Sequence, residues 1–143
     1  MTSLLKALVL TPLFFSATLA MATYEIPGQN GNLAYPMPVK FQQDGLRVMI
    51  DFILPFELTG TVNHIQAQGR LVAPDKAFLE GPNSLMTCHL SQRFCSVQYK
   101  NVSVDFGALQ HHLHRQGFSE METEQRLQIT RRFQADPIGI VRF

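Results

Sequence analysis

The stretch LRVMIDFILPFEL, residues 46–58, is apolar at every second position: Leu46, Val48, Ile50, Phe52, Leu54, Phe56 and Leu58. Between them stand Arg47, Met49, Asp51, Ile53, Pro55 and Glu57, a mixed set. Side chains alternate between the two faces of a strand, so this spacing predicts one long strand with a wholly apolar face. At helical spacing the same residues would scatter around the axis. That face requires a cover, and the rest of the chain is read for what supplies it.

Downstream, the alternation resumes with its apolar residues at odd positions: Ile65, Ala67, Gly69 and Leu71 against His64, Gln66, Gln68 and Arg70. This predicts a half-exposed antiparallel strand paired with the first as a hairpin. Ala67 and Gly69 are small and leave a hollow for Phe52, Phe56, a helix or a ligand to enter. Turn signals at Ala73-Pro74-Asp75-Lys76 and Gly81-Pro82-Asn83 bound a short strand. Residues 84–90 and 94–104 form a further hairpin. Upstream, Gln43-Asp44-Gly45 is a turn into the long strand. Residues 23–38, with three prolines and two glycines, read as an extended, irregular lead-in.

At Asp105 the period changes. Asp105 is a good N-cap, and Phe106, Leu109 and Leu113 share one face of a helix that Gly117 ends. Ser119 with Glu122 is a capping box for a second helix running to about Phe133, stopped by Asp136-Pro137. Residues 138–143 read as a returning strand. Strands, two helices and a strand predict an α+β fold: an antiparallel β-meander sheet, a C-terminal helical hairpin packed on one face, and a final returning strand. In that arrangement Phe106, Leu109, Leu113, Ile129 and Phe133 face the even-numbered residues of the long strand.

The N-terminus has one basic residue, Lys6, an apolar run over residues 7–15, and small residues around Met21 in Ala20-Met21-Ala22. This is the layout of a secretory signal peptide cleaved after Ala22. The expected organisation is residues 1–22 as signal peptide, 23–36 as an extended segment and 37–143 as a single domain. Without the leader, 121 residues carry 11 basic and 11 acidic side chains, a formal charge of zero. A neutral surface points away from nucleic acid as a partner.

Cys88 and Cys95 are the only cysteines. A two-residue loop at Ser91-Gln92 would set them directly opposite one another, and export would oxidise them to a disulfide. His111 and His114 lie about 60° apart on the first helix, but no third ligand has a defined spacing, so no metal site is assigned. Asn101-Val102-Ser103 is a glycosylation acceptor in a eukaryotic host. Asp51 and Glu57 share a strand face but stand about 20 Å apart, too far to act as a pair.

The terminal Phe143 after a short apolar strand resembles the ends of outer-membrane barrel proteins. A barrel of that kind needs eight or more strands of about ten residues. With about 30 residues reading as helix, the sequence leaves too few.

No catalytic constellation and no cofactor signature is found. The expected function is an exported, periplasmic or secreted, non-enzymatic interaction or structural protein of the cell envelope, a subunit of a larger assembly with other envelope proteins as partners. The alternative is a carrier holding an apolar, lipid-like ligand between sheet and helices, lined by Phe52, Phe56 and Leu71.

Overall fold

A computed structural model describes residues 18–28 and 31–143. The apolar run of the predicted leader, through residue 17, lies outside the described residues. Eight strands, β1 (Thr18–Gly28), β2 (Gly31–Asp44), β3 (Arg47–Ile53), β4 (His64–Ala73), β5 (Lys76–Glu80), β6 (Ser84–His89), β7 (Phe94–Tyr99) and β8 (Ile138–Arg142), form a closed antiparallel barrel in sequential order. Among the described residues three helices complete it: α1 (Phe56–Thr59), α2 (Phe106–Arg115) and α3 (Glu120–Ala135).

This overturns the open meander sheet with a helical hairpin on one face. The apolar face predicted from residues 46–58 exists, but the sheet covers it by curling on itself. Two features hid the closure. The lead-in at residues 23–38, with Pro27, Pro36 and Pro38, supplies the end of β1 and the start of β2, which pair with one another. Proline is tolerated on β2 here because β2 pairs with β3 only from Val39 onward, so Pro36 and Pro38 face no second neighbour. At the other end, β8 inserts between β7 and β1 rather than at a sheet edge.

The long strand is also shorter than its alternation implies. Leu46 lies in the turn and is exposed, and β3 ends at Ile53. Pro55, at the N-cap of α1, brings no N–H to a ladder. Leu54 and Leu58, four apart, are both fully buried, whereas Phe56 between them is partly exposed. The spacing has passed from strand to helix within one apolar run.

Inside the barrel, each strand contributes its inward phase: Tyr24 from β1, Val39 from β2, Phe52 from β3, Ala67 from β4, Leu79 from β5, Met86 from β6, Val97 from β7 and Val141 from β8 all belong to one buried cluster. The hollow expected at Gly69 is filled by backbone. A Cβ there would overlap the Phe78 carbonyl, so the glycine lets β5 come close to β4. Tyr24 donates a hydrogen bond to the Tyr99 hydroxyl at 2.9 Å, and both phenols are buried. Burial disfavours the charged phenolate and raises the pKa of both above the ordinary tyrosine value. Cys88 and Cys95 are disulfide-bonded across β6 and β7, in the register foreseen, although the connecting loop has four residues and holds Arg93 at φ 59°.

Antiparallel order puts the β3–β4 and β7–β8 connections, and hence all three helices, at one end of the barrel. The helices do not lie on a sheet face. Leu109, Leu113 and Leu127 form a separate small core with Phe106 and Phe118, while Phe133 and Ile129 reach the barrel interior. Both helix starts are capped as expected: Asp105 accepts from the Ala108 N–H at 3.0 Å, and Ser119 and Glu122 cap reciprocally. The Thr130 hydroxyl donates to the Leu58 carbonyl at 2.6 Å, tying α3 to α1. Arg126 lies between the Phe118 and Tyr35 rings, 4.7 and 6.0 Å from their centroids, and fastens α3 to β2.

The barrel has the eight strands that the sequence reading denied it, yet its polarity is opposite to that of a membrane barrel. The inward phase is apolar and the outward phase carries Lys40, Asp51, Gln66, Glu80 and Gln98. Its strands β5 to β8, of five or six residues, are shorter than the roughly nine to eleven that cross a bilayer.

Candidate interaction surfaces

The outer wall of β5–β8 carries apolar side chains out of phase with the core. On β5, Ala77 and Leu79 point inward, yet Phe78 between them is apolar and 51% exposed. On β6, Met86 and Cys88 point inward, and Leu85 is 44% exposed. Ile138 at the start of β8 is 38% exposed. Ladder register brings these into adjoining rows. Phe78 lies opposite Thr87, which lies opposite Ser96 and then Ile140; Leu85 lies opposite Gln98, which lies opposite Ile138. With Pro27 at one rim, they line a concavity of about 640 Å³. A strand that is apolar on both faces is the sequence signal for such a wall. Residues 77–80, Ala-Phe-Leu-Glu, carry that signal, with apolar side chains on both faces of a short strand.

The wall formed by β2–β5 differs in chemistry. Lys40, Asp51 and Gln66 stand in one row across three strands, with Gln42, Met49, Gln68 and Glu80 in the next. They line a groove of about 490 Å³. The Asp51 carboxylate is 2.6 Å from His64 Nε2 and accepts from Gln66 Nε2 at 3.1 Å. Partial burial pushes the Asp51 carboxyl up, but the hydrogen bonds from Gln66 and His64 and the charges of His64 and Lys40 outweigh it, and the net shift is downward. A His–Asp pair activates a hydroxyl or thiol nucleophile in acyl transfer. The residues lining this groove include none.

The three residues expected to line an apolar cleft are not brought together. Phe52 faces the barrel interior opposite Ile65. Leu71 is half-buried at the far end of β4, six residues beyond Ile65 and therefore about 20 Å away. Phe56 lies on α1 at the helical end, edge-on to His112 with centroids 5.0 Å apart. His111 and His114 are exposed on α2, and no group of three or more metal-ligating side chains is assembled among the described residues. Asn101 is exposed in the segment leading to α2.

The end opposite the helices is closed by aromatic packing. Phe41 stacks on Phe143 at 4.9 Å, Arg93 sits 5.5 Å from the Phe143 ring centroid, and Arg93 Nε donates to the Phe143 carbonyl at 2.7 Å. A recess of about 270 Å³ lies there, lined by Ala20, Val39, Phe41, Gln43, Leu90, Arg93 and Phe143.

The Cys88–Cys95 disulfide is compatible with an oxidising, exported location. No protein-family model, no curated protein and no solved structure matches this chain, so its function is argued from these surfaces alone.

Proposed function

We propose that the protein is an exported, non-enzymatic subunit of a cell-envelope assembly and docks a partner protein through the outer wall of β5–β8. The observation that supports this is the exposure of Phe78, Leu85 and Ile138 on a barrel whose interior phase is already apolar and filled. Phe78 with Leu85 on one side and Ile138 with Ile140 on the other flank Thr87, Ser96 and Gln98 across the concavity, and a concavity lined by exposed apolar side chains is a mark of interaction sites. Carriage of an apolar ligand has less to support it, because Tyr24, Ile50, Phe52, Leu79 and Met86 occupy the interior that a ligand would need.

A photo-crosslinking side chain in place of Phe78, in the protein expressed in its native envelope, is expected to give a discrete adduct with another protein. Leu85→Lys should abolish that adduct and leave the melting temperature within about 2 °C of the parent, since exposed substitutions shift stability little. Absence of an adduct, with the protein recovered as a partnerless monomer, would refute the proposal.

A further inference from the structure

The two halves of β1 do different work. Thr23, Tyr24 and Glu25 pair with Arg142, Val141 and Ile140 of β8 and so close the barrel. The Glu25 carboxylate accepts from Arg142 Nε at 2.7 Å across this seam. Residues 18–22 pair with β2 only, from Thr18 opposite Phe41 to Ala22 opposite Met37. The expected cleavage after Ala22 falls at the boundary between the halves. It leaves the closing half intact and removes the half that covers β2.

The consequence is an opened slot. Residues 37–41 of β2 lose their only neighbour on that side, leaving a row of unpaired backbone donors and acceptors. Beside this edge, the recess formed by Val39, Phe41, Leu90 and Phe143 loses its Ala20 wall and widens. Val39 is 1% exposed while residues 18–22 are in place.

We propose that in the processed protein this slot accepts an extended segment of a partner subunit, added antiparallel to β2 in the register that residues 18–22 hold before cleavage. The inference rests on the export reading and on the assembly role proposed above. The chain's own segment specifies the chemistry of the donor. Ala22 points inward and is buried, and Ala20, in the same phase, is half-buried against the recess. Met21, between them, is 69% exposed. The donor strand therefore carries small side chains at two alternate positions and is free at the position between. Backbone pairing supplies affinity, and the shallow inward sites supply selectivity.

The test uses the full-length gene product, exported by a secreting host and purified as processed. Its first residue is read by mass spectrometry, and hydrogen exchange is followed with and without an acetylated peptide of residues 16–22, Ser-Ala-Thr-Leu-Ala-Met-Ala. In the processed protein alone, those amides of residues 37–41 that face away from β3 are expected to exchange freely. The peptide should slow their exchange saturably. A peptide carrying Ala20→Leu and Ala22→Leu should bind at least about tenfold more weakly, because the added bulk meets a packed site. Protection of these amides without peptide, failure of the peptide to protect them, or equal binding of both peptides would overturn the slot while leaving export intact. A chain that retains residues 18–22 after export would overturn the predicted cleavage and the slot together.

Discussion

Gly139→Ala tests the packing that joins β8 to β1. Gly139 is buried on β8 opposite Val97, and a Cβ there would overlap the Tyr24 phenol, closest at its hydroxyl. Tyr24 cannot easily retreat. It is fully buried, its ring centroid lies 6.1 Å from that of Phe52, and its hydroxyl donates to Tyr99 at 2.9 Å. Inserting a methyl into such a site costs about 1–3 kcal/mol in displaced side chains. Separating two buried hydroxyls adds about 1–3 kcal/mol. Replacing glycine in a strand returns only about 0.5–1 kcal/mol. The net destabilisation is about 1–5 kcal/mol, centred near 3, and at about 4 °C per kcal/mol for a chain of this size the central value lowers the melting temperature by about 12 °C. Urea titration followed by circular dichroism measures it, and Tyr24→Phe supplies the control. That change removes the atom closest to the new methyl, so Gly139→Ala should cost at least about 1 kcal/mol less in the Phe background. Wild-type stability for Gly139→Ala, or the same cost in both backgrounds, would refute the packing argument.

The disulfide closes a separation of seven residues, so replacing Cys88 and Cys95 together by Ala should cost about 2–3 kcal/mol in urea unfolding; free thiols in unreduced, freshly isolated protein would contradict the bridge. Burial raises the phenols of Tyr24 and Tyr99 well above the usual tyrosine value and pushes that of Tyr35 up to about 12 against the lowering influence of Arg126. These are all three tyrosines of the chain, so the folded protein should show no phenolate absorbance change near pH 10. Because the folded-state values lie above the unfolded ones, their stabilising contribution is complete below about pH 10 and is lost as pH rises through the folded values, with phenolate appearing as the chain unfolds. Asp51 is shifted the other way: its contribution is present above the unfolded carboxylate range and is lost as pH falls through the depressed folded value. Asp51→Asn should therefore lower the melting temperature at pH 7, by an amount that shrinks as pH falls below the ordinary carboxylate range, and a difference that does not change on acidification would exclude an ionic role for Asp51.

What was legible in the sequence is what neighbours in the chain decide. Asp105, and Ser119 with Glu122, mark helix starts because a cap bonds N–H groups two or three residues on. The cysteine register was readable because paired positions in a hairpin sum to a constant, and it survives even though the turn has four residues rather than two. Elsewhere local cues misled. The apolar spacing of residues 54–58 is common to a strand and to one turn of helix, and Pro55 decides for the helix. Phe78 and Leu85 needed the phase of their own strands to be fixed before they could be recognised as facing outward.

Closure itself was not legible, for a physical reason. An open sheet covered by helices and a barrel covered by itself impose the same pattern on each strand, apolar inward and polar outward. Only the number of strands and the pairing of the first with the last distinguish them. Here that pairing joins Glu25 to Arg142 across 117 residues and comprises three residue pairs, with nothing in either segment's sequence to announce the other. The first strand was further disguised by the prolines and glycines around it. The same short seam gives the candidate site its logic. A barrel closed through only residues 23–25 of β1 leaves residues 18–22 free of any role in closure, so they can be removed without opening the seam. The strand edge that their removal would uncover lies beside Phe41 and Phe143, where a donor strand would find both hydrogen-bond partners and apolar surface.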